Sequence, residues 1–276
     1  MLTWFPSPYP DELFYSVLCR YYVSSGVKEH YLVKKQLFGT KAGVKMATLY
    51  PNATVHAALL QLPDGVFDER DMILRHTPFL YYARMYPQEE REVLLDDLVQ
   101  GRSRTPTHLW KTFPKDNYAL RYCPSCVQED TQIYGEPYYH VEHQIPLSSV
   151  CVRHKCRLKQ IAVDNPRLAL NNRFYPLGTV ETAREPDMDV TPAELQVSGL
   201  VREYWKLPAS VSPPACNNLY QTLLNGGYMN IVRQNGLNID RAKLYAALCG
   251  YHGAEAVKRV FGENISGTMM NRIRTW

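Results

Sequence analysis

Residues 121–158 read RYCPSCVQEDTQIYGEPYYHVEHQIPLSSVCVRHKCRL, and the rest of the chain is organised around them. Cys123 and Cys126 are spaced C-x-x-C; after 24 intervening residues Cys151 and His154 are spaced C-x-x-H. Thiolates and an imidazole at this spacing let each pair hold a tetrahedral Zn2+ from one tight knuckle, and Pro124 stiffens the first. Four ligands close the shell and leave no position for water, so the metal is expected to be structural and not catalytic. Cys156, two residues past His154, is the alternative fourth ligand, at the cost of distorting the knuckle. His140 and His143, with Glu136, Glu142 or Asp130, suggest a second chemistry, a zinc-supported nuclease with a histidine base. Packing of such neighbours around a metal centre is the simpler account. Between the pairs, Val127 to Tyr134 reads as a short helix stopped by Gly135, and PYYHVEHQIP alternates like a strand.

A chain of 276 residues, 45% of them hydrophobic, can bury one large core or two to three modest ones. Its cysteines number seven, and the opening MLTWFPSPYPDELF has neither a basic start nor a continuous apolar run. Both features suit a reducing cytoplasm and no signal peptide. The apolar runs fall short of the ~18 residues that a bilayer span needs, so no membrane partner is expected. The net charge of +4 is too small by itself to imply nucleic acid. Its distribution says more. Residues 64–97 carry nine acids against four bases, whereas 151–173 carry six bases against Asp164 alone. Two further segments are basic: 20–45 with six against Glu29, and 233–276 with seven against three. If DNA is bound directly, Arg153, Lys155 and Arg157 are candidates for phosphate contact. Arg241, Lys243, Lys258 and Arg259 are candidates for base readout.

The expected fold is mostly α. A first helix reads from Pro10 to Ser25, with Asp11 and Glu12 at its positive end and Gly26 as its stop. Others are expected at Lys28–Phe38, Thr54–Leu62 and Asp68–His76, and in PQEEREVLLDDLVQG. Residues 1–105 therefore form a helical, helix-turn-helix-like domain that opens with the extended arm WFPSPYP, whose prolines forbid helix. Its Trp4, Phe5 and Tyr9 either pack back on the first helix or face a partner. Residues 106–165 form a small zinc-ribbon-type module, and 166–215 a proline-rich linker with one helix, Pro192–Tyr204. Residues 216–276 form a C-terminal helix-turn-helix segment of short helices separated by glycines, with Asp240 as a cap.

The opening SPYPDELFYSVLCRYYVSSG, taken with residues 121–158, resembles the TniQ/TnsD family of target-selection proteins in Tn-seven-type transposons. Both signatures and the spacing between them match the family's order, and GYMNIVRQNGLNIDRAKLYAALCGYHGAEAVKRVFG resembles its following helix-turn-helix segment. Tyr139 stands where the family commonly has tryptophan, and the chain stops at NRIRTW where longer members continue, as a short member or a truncation would. The resemblance implies a non-enzymatic adaptor that is DNA-associated. It marks an insertion site on double-stranded DNA and recruits the transposon's AAA+ ATPase regulator, which brings the transposase. The alternative it leaves open is a TniQ-type adaptor docked on a CRISPR effector complex. The expected surface for the ATPase is Trp4, Phe5 and Tyr9. Nothing in the sequence resembles a phosphate-binding loop, so ATP hydrolysis falls to the partner.

Overall fold

The computed structural model describes residues 2–39, 46–49, 52–84, 86–102, 119–211, 223–232 and 236–261, without the side chains of 229–239, 241, 256 and 259–261. It is about half helical, with a few very short strands. Six helices open the chain: α1 (Phe14–Ser25), α2 (His30–Phe38), α3 (Thr54–Leu59), α4 (Glu69–His76), α5 (Phe79–Ala83) and α6 (Gln88–Val99). Their ends obey local chemistry. Gly26 takes the left-handed conformation (φ 66°) that ends α1, and the Asp68 carboxylate accepts from the Arg70 and Asp71 N–H groups to start α4. Each of α1 to α3 packs against its successor, and α4 packs against α5 and α6.

The first helix starts four residues later than its acids suggest. Asp11 has φ 60°, and Glu12, instead of sitting in a first turn, is fully buried, with its carboxylate 3.0 Å from Arg20 Nη1. The backbone there pairs with the module that carries the two knuckles: Leu13 N–H donates to Tyr139 O (2.7 Å) and Val141 N–H to Asp11 O (2.8 Å). The arm returns to α1 as well. Phe5 is buried and packs on Tyr21 and Phe14, Tyr9 packs at a tilt against Tyr134 (ring centroids 4.4 Å apart) beneath the Arg20 guanidinium, and Trp4 lies over Tyr21 while remaining half exposed.

The module contains β1 (Arg121–Tyr122), α7 (Pro124–Tyr134), α8 (Val141–Gln144), β2 (Val150–Cys151), β3 (Cys156–Arg157) and β4 (Lys159–Gln160). Strands β1 and β4 pair antiparallel, Tyr122 opposite Lys159; β2 and β3 do likewise, Cys151 opposite Cys156. The expected strand in PYYHVEHQIP is instead the single turn α8, preceded by an isolated bridge between Glu12 and His140. The alternation there has another cause. It places His140 and His143 inward from a helical turn and Tyr139 into the core.

One apolar core runs from the arm through the module and beyond it, taking in Leu18, Phe38, Ile73, Leu120, Tyr139, Ile145 and Ile161. The stretch expected as a linker adds Leu170, Phe174, Leu177 and Trp205 to it. There α9 (Pro166–Asn172) lies against α2, and α10 (Pro192–Lys206) lies against α5 and β2. Thr191 and Glu194 form a reciprocal capping box at the start of α10. Two buried arginines hold the segment after α10: Arg84 donates to the carbonyls of Leu207, Pro208 and Val211, and Arg91 to that of Ala209. The tail differs from a purely helical expectation. Strands β5 (Met229–Val232) and β6 (Gly236–Ile239) form an antiparallel hairpin before α11 (Arg241–His252) and α12 (Ala254–Phe261). Asp240 caps α11 through Lys243 N–H, as expected, and α12 packs on α10. Among the described residues no helix is long and apolar enough to cross a membrane.

Candidate metal centre

Cys123 ends β1 and caps α7, its sulfur accepting the Cys126 N–H at 3.4 Å. This turn puts both thiols of the first knuckle on one side. The β2–β3 turn does the same for the second, with Lys155 at φ 52° returning its N–H to Cys151 O (2.7 Å). The donor atoms of Cys123, Cys126, Cys151 and His154 consequently converge within 4.8 Å of one another. Metal–sulfur bonds of ~2.3 Å and metal–nitrogen bonds of ~2.0 Å at tetrahedral angles would place sulfurs ~3.8 Å apart and sulfur ~3.6 Å from nitrogen. Cys126 and Cys151 Sγ are 3.8 Å apart, and His154 Nδ1 is 3.5, 3.3 and 3.6 Å from the sulfurs of Cys123, Cys126 and Cys151. The four residues therefore fit one tetrahedral metal ion. The three cysteines are buried and His154 is partly exposed at the rim.

Cys156 does not belong to that group. Its buried sulfur touches Cys123 Sγ at 3.3 Å. Burial, and then the contact with Cys123, push its thiol up to about 12, whereas hydrogen bonding from Cys126 and Cys151 lowers that of Cys123. The spacing left the choice between His154 and Cys156 open; the positions of the atoms favour His154. A residue that spacing did not single out supports this. Glu129, one turn along α7 from Cys126, lies 3.2 Å from His154 Nε2, which leaves Nδ1 to face the thiols, and it also pairs with Arg153. An acid at i+3 from a knuckle cysteine was the available signal.

The two histidines between the knuckles are not set up as bases toward solvent. His140 is buried, with Nε2 3.0 Å from Asp130 and Nδ1 3.6 Å from Asp11. Burial disfavours the charged ring, but the two carboxylates outweigh it and raise His140 to about 10. His143 is fully enclosed against His140 and Cys151, and burial lowers its pKa.

The cations expected at a nucleic-acid surface divide. Arg153 and Lys155 are exposed on the knuckle turn, Arg153 paired with Glu129. Arg157 is committed elsewhere: its guanidinium is 2.7 Å from the buried Glu194 carboxylate and 3.5 Å from Asp187. Lys243 is exposed and donates to Gly227 O (3.2 Å), and Lys258 is exposed on α12. The side chains of Arg241 and Arg259 lie outside the described residues. Of the arm, Phe5 belongs to the core and Tyr9 to the seam with α7, which leaves Trp4 as the exposed aromatic.

A family model described as TniQ matches residues 3–158, from the arm to the residue after β3. The Escherichia coli protein named Transposon Tn7 transposition protein TnsD is 28% identical over 181 residues, 64% of this chain. The match spans 35% of that relative, about a third of its length. The matched region contains α1, both knuckles and the core that joins them, and it covers more than half of the chain: the protein belongs to the TniQ family.

Proposed function

We propose that the protein selects target sites for transposition, binding a DNA attachment site and recruiting an AAA+ ATPase regulator that brings the transposase. The observation that carries this reading is the family match over residues 3–158, joined to a relative named as a transposition protein. The chain itself acts as an adaptor and not as an enzyme. In this reading the Cys3His centre holds Zn2+, because thiolate and imidazole donors in a closed tetrahedron suit zinc, and its role is to fix the knuckles in the fold.

The exposed cations of the knuckle turn, Arg153 and Lys155, contribute phosphate contacts, and Arg241, Lys243, Lys258 and Arg259 on α11 and α12 contribute base readout. Arg157, held by Glu194, supports the turn from within. Binding of labelled DNA fragments, measured by anisotropy across a salt series, tests the reading. Each phosphate contact contributes ~0.9 to the slope of log K against log salt, so Arg153→Ala with Lys155→Ala should flatten it by about 2 and weaken all sequences alike. Absence of DNA affinity at low salt would refute direct binding. Stable association with an RNA-guided effector in the same preparation would put the adaptor on that complex instead.

A further inference from the structure

The tetrahedron formed by Cys123, Cys126, Cys151 and His154 leaves one sulfur over. Cys156 lies on β3 opposite Cys151, is fully buried, and brings its sulfur to 3.3 Å from Cys123 Sγ. It nevertheless stands outside the set of donor atoms that converge on one point. Two sulfurs this close are nearer than simple packing places them, and two thiolates at that range would repel. A proton between them satisfies both conditions, since a thiol is a weak donor and a thiolate a good acceptor. A metal-bound Cys123 has no proton to give. The donor is therefore Cys156.

We propose that Cys156 is a positioning residue for the metal rather than a ligand: its S–H donates to the Cys123 thiolate, fixing the direction of that sulfur and withdrawing charge from it. The proposal rests on the reading of the four residues as a metal centre. Cys123 already accepts the Cys126 N–H at 3.4 Å, so Cys156 supplies a second donor to the same sulfur. Outer partners of this kind change metal affinity by roughly 10- to 100-fold when they are removed.

The test uses the full chain with Co2+ as the probe metal, read by its thiolate-to-metal charge-transfer absorption and by competition with a chelator. Wild type, Cys156→Ser and Cys156→Val should each bind one equivalent with the intensity of three thiolates. The serine variant keeps a donor and should hold Co2+ as wild type does. The valine variant fills the space without a donor, so its band should move to longer wavelength and its affinity should fall roughly 10- to 100-fold. A packing role predicts the reverse order, with valine tolerated and serine not, and would overturn the proposal. So would loss of one thiolate's share of the absorption in both variants, which would make Cys156 a ligand. If valine prevents folding, the serine variant alone decides through its affinity and band position. Wild-type protein that takes up no Co2+ would overturn the centre itself, a failure distinct from either.

Discussion

His140 joins three parts of the chain through one buried ring. It faces Asp11 ahead of α1, Asp130 on α7, and the rings of Tyr138 (4.4 Å) and His143 (4.8 Å). A histidine whose folded pKa is raised binds its proton more tightly in the fold. It contributes stability that is fully present below the unfolded value and is lost as pH rises through the folded one. For His140 the window runs from 6.5 to about 10. That gap corresponds to about 5 kcal/mol, of which roughly 3 kcal/mol should be lost between pH 6.5 and 9.5. Burial raises Asp11 to about 6 and Glu12 to about 7. The sense is the same, because a carboxyl that holds its proton in the fold loses its contribution as pH rises, but their windows close at lower pH. Removing the ring by His140→Gln leaves the buried Asp130 without its cation, which costs about 3–5 kcal/mol at pH 6.5. Urea unfolding of both proteins at pH 6.5, 8 and 9.5, with zinc in excess, measures the difference. Wild type should converge on the variant as pH rises. Parallel profiles across this range would mean that the ring is neutral in the fold, and would refute the argument.

Elemental analysis should find one zinc per chain, and Cys126→Ser should abolish it. Structural zinc stabilises small modules by roughly 10–16 kcal/mol, and because the core is continuous the loss should unfold the N-terminal helices together with the module. Arg84→Ala removes donors to the carbonyls of Leu207, Pro208 and Val211, hydrogen bonds from a charged group worth about 1.5–3 kcal/mol each, so denaturation should show a loss of several kcal/mol. Preserved stability would mean that the segment after α10 finds other partners. Trp4→Ala, at a half-exposed aromatic, should impair recruitment of the ATPase in a pull-down while changing the melting temperature little; an unimpaired pull-down sinks the arm as an interface.

Where the sequence was legible, the signal was local. The knuckle cysteines, the Asp240 cap and the Gly26 and Gly135 stops each act within about four residues, and the structure shows each in place. Misreadings arise where the same residue types serve distant partners. Asp11 and Glu12 resemble the acidic first turn of a helix, but their partners are His140 and Arg20, and one of those is more than a hundred residues away. Arg157 resembles a surface cation because nothing nearby in sequence predicts Glu194 as its partner. The hairpin of β5 and β6 escapes a sequence reading for a different reason. Asn235-Gly236 between two apolar runs is a hairpin signal, and the helical pattern of the residues after it outweighs it.

The same long-range pairs explain why the family-matched region depends on α10. Residue 158 ends the match, yet Arg157 beside it is held by Glu194 at the start of α10, and Asp187 bridges both Arg157 and Lys159. Ser198 on α10 accepts the Ser149 N–H at the entry to β2, two residues before the second knuckle begins. The turn that presents Cys151 and His154 is thus braced from behind by α10, whose far end is clamped by Arg84 from the N-terminal helices. The chain closes on itself from the N-terminal helices to α10 and from α10 to the knuckle. Through that closure, the four donor residues of the candidate metal centre are tied to the whole core, and the exposed Arg153 and Lys155 are carried on a turn that the core supports.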